Sequence, residues 1–114
     1  MMYSKGGRSQ EKYLERKLVE WVNSIKGRAV KGPSYTDKGI PDRIVILPNG
    51  GGTVWVEVKG GTYYQLEPMQ KWWRDLIINS SPDRYFLIDT KEDLDKFITT
   101  SEGFMVDTKK SDML

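Results

Sequence analysis

Apolar residues recur along this chain with two different periods. From Ser9 onward, Leu14, Leu18, Trp21, Val22 and Ile25 follow one another at steps of 4, 3, 1 and 3, one face of an α-helix. Gly27 is placed to end that helix. Arg28–Lys31 reads as a short edge strand, and 32–41 as a loop rich in turn formers. Arg43–Leu47 is a β-branched apolar run, the mark of a central strand. Pro48-Asn49-Gly50-Gly51-Gly52 predicts a hairpin turn, because Asn-Gly tolerates positive φ at both positions. Residues 53–59 then alternate with period two: Val54, Val56 and Val58 face one way, Trp55, Glu57 and Lys59 the other.

Pro68 suits the first turn of a second helix, with Met69, Trp72, Trp73, Leu76 and Ile77 as its apolar stripe. Ser80-Ser81-Pro82-Asp83 stops it, and 84–88 is a further strand. Thr90 and Asp93 are spaced as an N-cap and its N3 partner, opening a helix with Leu94, Phe97 and Ile98 inward. The predicted order is αβββαβα, an α/β fold with a small mixed sheet flanked by helices. Residues 1–8 carry no period and are expected to form a flexible basic arm. Residues 9–100 are the domain, and the polar tail 101–114 is expected to fray.

Composition narrows the chemistry. The 114 residues make one domain and contain no cysteine and no histidine. Disulfides, thiol nucleophiles, Cys- or His-type zinc sites and imidazole acid–base catalysis are excluded. A catalyst would have to use carboxylates, Lys, Tyr, Ser, Thr or an oxygen-bound metal. Lys and Arg number 18 against 16 Asp and Glu, so a basic site would have to be local. No apolar run approaches the roughly 18 residues of a membrane span, and residues 1–8 show no export signal. An intracellular protein with no membrane partner and no organic cofactor is expected.

One stretch concentrates candidate chemistry. Asp42 precedes one hairpin strand and Glu57-Val58-Lys59 ends the next, 15 to 17 positions later. Antiparallel pairing brings the start of one strand beside the end of the other. Glu57 and Lys59, two apart, share a face. Such a group suits Mg²⁺, which takes hard oxygen ligands and usually one or two carboxylates. Asp42 and Glu57 supply these, and the Val58 carbonyl is a candidate third oxygen. The metal would polarise a phosphodiester, with Lys59 positioning the attacking water or neutralising the phosphate. The competing reading is an exposed ion pair on a strand. Pro82-Asp83 repeats the Pro-Asp pair with no Glu-x-Lys after it, so the pair alone is not specific.

Two outlying polar residues bear on the choice. At about 100° per residue, Glu15 falls on the edge of the buried face of the first helix. A carboxylate there needs water, a cation or a donor. Its plain reading is a boundary residue paired to Lys or Arg, and Glu11, one turn earlier, is its rival. Gln70 sits at the edge of the second helix's stripe, where a plain boundary glutamine is the competing reading.

Taken in order, "YLERKLVEWV", "GIPDRIVILPNGG", "TVWVEVKGG" and "LEPMQKWW" resemble the VRR-Nuc domain of the PD-(D/E)xK nuclease superfamily. The resemblance covers about 9–98. It implies a single restriction-endonuclease-like domain and a metal-dependent nuclease using Mg²⁺ or Mn²⁺. Carried over, Asp42 and Glu57 are the metal ligands and Lys59 the catalytic lysine. Glu15 holds the metal directly or through water, and Gln70 lies near the active centre. Small stand-alone members, viral or bacterial, are similar to Holliday-junction resolvases and act as homodimers on branched DNA. The absence of a fused DNA-binding module is expected of that type, which would work in the cytoplasm, the host's if viral.

For a DNA surface, Lys26, Arg28, Lys31, Lys38 and Arg43 cluster in sequence around the predicted site, and Lys5, Arg8 and Arg16 could join them on phosphates. Tyr35, Tyr63 and Tyr64 could stack on a displaced base. Surface lysines kept for solubility are the plain alternative. Trp72 and Trp73 are adjacent, so both cannot enter one core, and one is a candidate subunit contact. Two other functions stay open: a non-catalytic DNA-binding or packaging accessory on the same fold, and an exonuclease.

Overall fold

The computed structural model describes residues 3–33, 37–61 and 65–106, and the side chains among these from residue 9 onward. Its elements follow the predicted order: α1 (Tyr3–Ser24), β1 (Arg28–Lys31), β2 (Arg43–Leu47), β3 (Gly52–Val58), α2 (Pro68–Ser80), β4 (Tyr85–Ile88) and α3 (Lys91–Phe104). The sheet runs β1-β2-β3-β4. The first three strands are antiparallel, with Lys31 opposite Arg43 and Arg43 opposite Val56. β4 joins parallel to β3, with Val58 opposite Ile88, so α2 is the crossover that a parallel pair requires.

Alternation decides which side becomes the core. Val45, Leu47, Val54, Val56, Val58 and Ile88 are buried on one sheet face against Leu14, Leu18 and Val22 of α1 and Leu94 and Phe97 of α3. Phe97 meets Trp21 and Phe86 edge to face, with centroids 5.7 and 5.2 Å away. α2 lies on the other face, where Gln70 reaches Glu57.

Local chemistry accounts for the element ends. α1 closes in a Schellman arrangement: the Gly27 N–H donates to the Val22 carbonyl and the Lys26 N–H to Asn23, with Lys26 at φ 67°. The left-handed residue is therefore Lys26. Gly27 is needed because a Cβ there would lie 2.7 Å from the Ile46 carbonyl. The hairpin turn has positive φ at Asn49 and Gly50, as the dipeptide predicts. Thr90 and Asp93 form the expected capping box.

Three expectations are corrected. α1 begins at Tyr3, so the expected arm is helical in its backbone. An apolar period registers only turns that pack, whereas the backbone ladder propagates one bond per residue once nucleated. α3 continues past Thr100 to Phe104, with Ser101 buried and Phe104 and Met105 packed on the core. Polar composition hid this because Phe104 lies under the Arg84 guanidinium, 3.7 Å from its ring centre. The predicted α2 stripe is mostly turned outward: Ile77 is buried, but Met69, Trp72 and Leu76 are about half exposed. A short helix over one side of the sheet presents only one row of side chains to it. Among the described residues, no helix is long and apolar enough to cross a membrane.

Candidate active site

The site forms where β2 begins and β3 ends. The β2–β3 register, extended one step beyond Arg43 and Val56, sets Asp42 opposite Glu57. The Val58 N–H donates to Asp42 Oδ2 at 2.8 Å, fixing that carboxylate from the end of the next strand. The two carboxyl groups lie close enough for each to act on the other's ionisation. Glu57 is nearly buried, at 3% exposure. Gln70 Nε2 donates to Glu57 Oε2 at 3.1 Å, and Lys59 Nζ lies 3.7 Å from the same oxygen. Lys59 Nζ also donates to Gln70 Oε1 at 3.4 Å. That amide oxygen further accepts from the Glu67 N–H at 2.8 Å, so one side chain caps α2 and ties it to the acids.

Burial, with the Asp42 charge beside it, pushes the Glu57 carboxyl up to about 8, against the pull of Lys59. Asp42 is also raised, by burial first and then by the Glu15 charge, while the Val58 N–H works against the rise. Two facing carboxyls, one of them buried, share a proton or need a cation between them. The donor set is oxygen only, which suits hard divalent ions. Among the described residues there is no group of three or more acidic side chains arranged to hold a metal, so Asp42 and Glu57 stand as a pair.

The remaining predicted residues divide. Glu15 stands within electrostatic reach of Asp42, yet its Oε2 accepts from Arg43 Nε at 2.7 Å. The pairing foreseen as its plain reading is therefore present. Arg43 also donates to the Ala29 carbonyl at 3.0 Å, so its guanidinium is turned inward instead of being offered to DNA. Strand alternation carries the signal for this: Arg43 follows Asp42 and must point to the opposite face, where α1 lies. Lys31, opposite Arg43, stands at the active end of β1, whereas Arg28, opposite Ile46, stands at the far end beside Lys26. All three are exposed. Lys38 is exposed and shares a cleft with Gln70. Arg16 lies against the Tyr13 ring, with its guanidinium carbon 5.5 Å from the ring centre. Tyr35, Tyr63 and Tyr64 lie outside the described residues, as do the side chains of Lys5 and Arg8. One contributor had no sequence signal: Asp89, at the end of β4, accepts from the Gly61 N–H at 2.9 Å and anchors the turn after Lys59.

No family model matches the chain. Over 61 residues it is 43% identical to a protein named "Putative nuclease p44" from Acyrthosiphon pisum secondary endosymbiont phage 1. That match takes in 50% of this chain and 64% of the phage protein, so the chain spans less than two thirds of the relative. The site described above is thus found in a chain similar to a protein that bears the name of a nuclease.

Proposed function

We propose that this protein is a nuclease of the VRR-Nuc type, a Mg²⁺- or Mn²⁺-dependent, structure-specific DNA endonuclease that acts as a homodimer on branched DNA. The observation that carries the reading is the Asp42–Glu57 pair: two facing carboxyls, one buried, beside a lysine and an amide. The similarity to a protein named as a nuclease supports hydrolysis of nucleic acid. Asp42, Glu57 and the Val58 carbonyl would hold the cation, with Glu15 acting directly or through water. When bound, the cation supplies Lewis-acid polarisation of the phosphate and a more acidic water.

The chain's own groups do the positioning. The Val58 N–H holds Asp42, and Gln70 holds both Glu57 and Lys59. Lys59, held by Gln70 and beside Glu57, would meet the charge that develops on an attacked phosphate. The exposed Lys31 and Lys38 would take neighbouring phosphates. Each protomer has one such site, so paired cuts in a four-way junction call for two copies. The exposed Trp72 and Leu76, one helical turn apart on α2, are the apolar surface assigned to that contact. For a stand-alone viral or bacterial protein of this type, the reading places the work in the cytoplasm, the host's if viral.

Purified protein is incubated with Mg²⁺ and labelled linear, flap, four-way-junction and closed circular DNA. Cleavage of the four-way junction by wild type in preference to linear duplex, lost in Lys59→Ala and Asp42→Asn, is the expected result. Wild type and Lys59→Ala behaving alike on every substrate overturns the catalytic reading. Cutting of linear but never circular DNA would make it an exonuclease. Calorimetric Mg²⁺ binding that is lost in Asp42→Asn is expected of the enzyme and not of a DNA-binding accessory. Sedimentation of a dimer that Trp72→Glu converts to monomer tests the assembly.

A further inference from the structure

A cleft of about 440 Å³ opens beside the acids, and of its lining only Lys38 and Gln70 enter the chemistry above. Its lining is Lys38 and Gly39 from the loop before β2, and Glu67, Pro68, Met69 and Gln70 from the start of α2. Gln70 is common to both places, so the cleft lies one side chain away from Glu57 and Lys59. Its two walls are set against each other by direct backbone packing. Gly39 has φ +86°, and a Cβ there would lie 2.5 to 2.7 Å from backbone and Cβ atoms of Met69. Only glycine permits this approach, so the loop rests on the first turn of α2 and the cleft is already shaped.

The lining has a particular chemistry. Met69 is 47% exposed and, with Pro68, gives an apolar wall. A thioether is soft and packs well on the face of an aromatic ring. Lys38 and Glu67 contribute one charge of each sign, so the cleft as a whole does not select an anion. A neutral flat ring with N–H donors fits it better: the ring against Met69, its donors toward the Glu67 carboxylate, and the adjoining phosphate at Lys38. The volume falls in the range of small-ligand pockets and accommodates a nucleobase with its sugar. A base paired and stacked in duplex cannot enter a side cleft; it must first leave the stack.

We propose that this cleft is a subsite for one unpaired nucleotide flanking the phosphate to be cut. The proposal rests on the nuclease reading and sharpens it: DNA with an unpaired nucleotide at the cleavage point is bound in preference to continuous duplex.

The test separates binding from turnover. The ¹⁵N-labelled full chain in EDTA is titrated with a five-residue thymidine oligonucleotide and, separately, with a blunt duplex. Amide shifts at Lys38, Gly39 and Met69 that saturate with the single strand, and are weaker with the duplex, are expected. Met69→Ala and Lys38→Ala, each checked for an intact amide spectrum, are expected to weaken single-strand binding by about tenfold, the scale of one lost base contact. Shifts confined to another surface, such as the groove between α1 and α3 at Tyr13 and Trp21, overturn the proposal. So does wild-type affinity in both variants. Loss of cleavage in Asp42→Asn alongside unchanged binding in the cleft variants removes the subsite and leaves the nuclease. Absence of cleavage under every condition alongside cleft-mapped binding removes the nuclease and leaves the subsite.

Discussion

Replacing Glu57 by Gln removes the most deeply buried ionisable group of the site while keeping its size and an oxygen that accepts from Gln70. In the folded protein this carboxyl ionises near 8; as a free side chain it would ionise near 4.5. Below pH 4.5 it is protonated whether the chain is folded or not. Between 4.5 and about 8 the unfolded chain has released the proton and the folded one still holds it. Each pH unit in that window then costs about 1.4 kcal/mol of stability. Above the folded value both states are ionised and the loss is constant. The cumulative cost is several kcal/mol, a large part of the roughly 5–15 kcal/mol that stabilises a typical domain. Asp42, also raised, adds loss in the same direction. The assay is urea unfolding followed by tryptophan fluorescence in EDTA from pH 5 to 8.5. Wild type should lose stability steadily with rising pH, while Glu57→Gln should hold a flatter profile and exceed wild type at pH 8. Millimolar Mg²⁺ should restore wild type at pH 8 and leave the variant unchanged, because a cation competes with the shared proton. Equal slopes for the two proteins, or no effect of Mg²⁺ on either, would refute the account of a strained carboxyl pair.

Three further outcomes follow from the packing. Arg43→Ala leaves the Glu15 carboxylate and the Ala29 carbonyl without their shared donor, and should lower unfolding free energy by about 2 kcal/mol in thermal or urea melts. Gln70→Ala removes the donor to Glu57, the acceptor for Lys59 and the cap on α2 together; stability should fall by about 1 kcal/mol, and any cleavage rate by at least tenfold in single-turnover kinetics. Ser101 is fully buried, and among the described residues its hydroxyl has no hydrogen-bond partner; Ser101→Ala should therefore raise the melting temperature, by about 1 kcal/mol in stability terms.

Much of the molecule is legible from its order of residues, because the deciding interactions are local. Val54, Val56 and Val58 alternate with Trp55 and Glu57, and a pleated strand has no other way to sort them. Asn49-Gly50, Pro68 and Thr90 with Asp93 specify their turn and helix starts through their own dihedral and hydrogen-bonding preferences. The pairing of Asp42 with Glu57 was readable too, since a tight hairpin leaves one register and that register sets them opposite.

What lay beyond the sequence depends on groups far apart in the chain. Whether Glu15 faces a cation or a guanidinium is decided by where α1 crosses the sheet, and the crossing puts Arg43 on it. Which side of α2 is wet depends on how much sheet lies beneath it, so Met69, Trp72 and Leu76 are outside despite their helical spacing. Gln70 owes its three partners to the docking of the helix start against the β3 end. The absence of cysteine and histidine restricted any catalyst to carboxylates, lysine and hydroxyls; only the tertiary structure buried one of those carboxylates against another, because desolvation is a property of surroundings that no single residue carries.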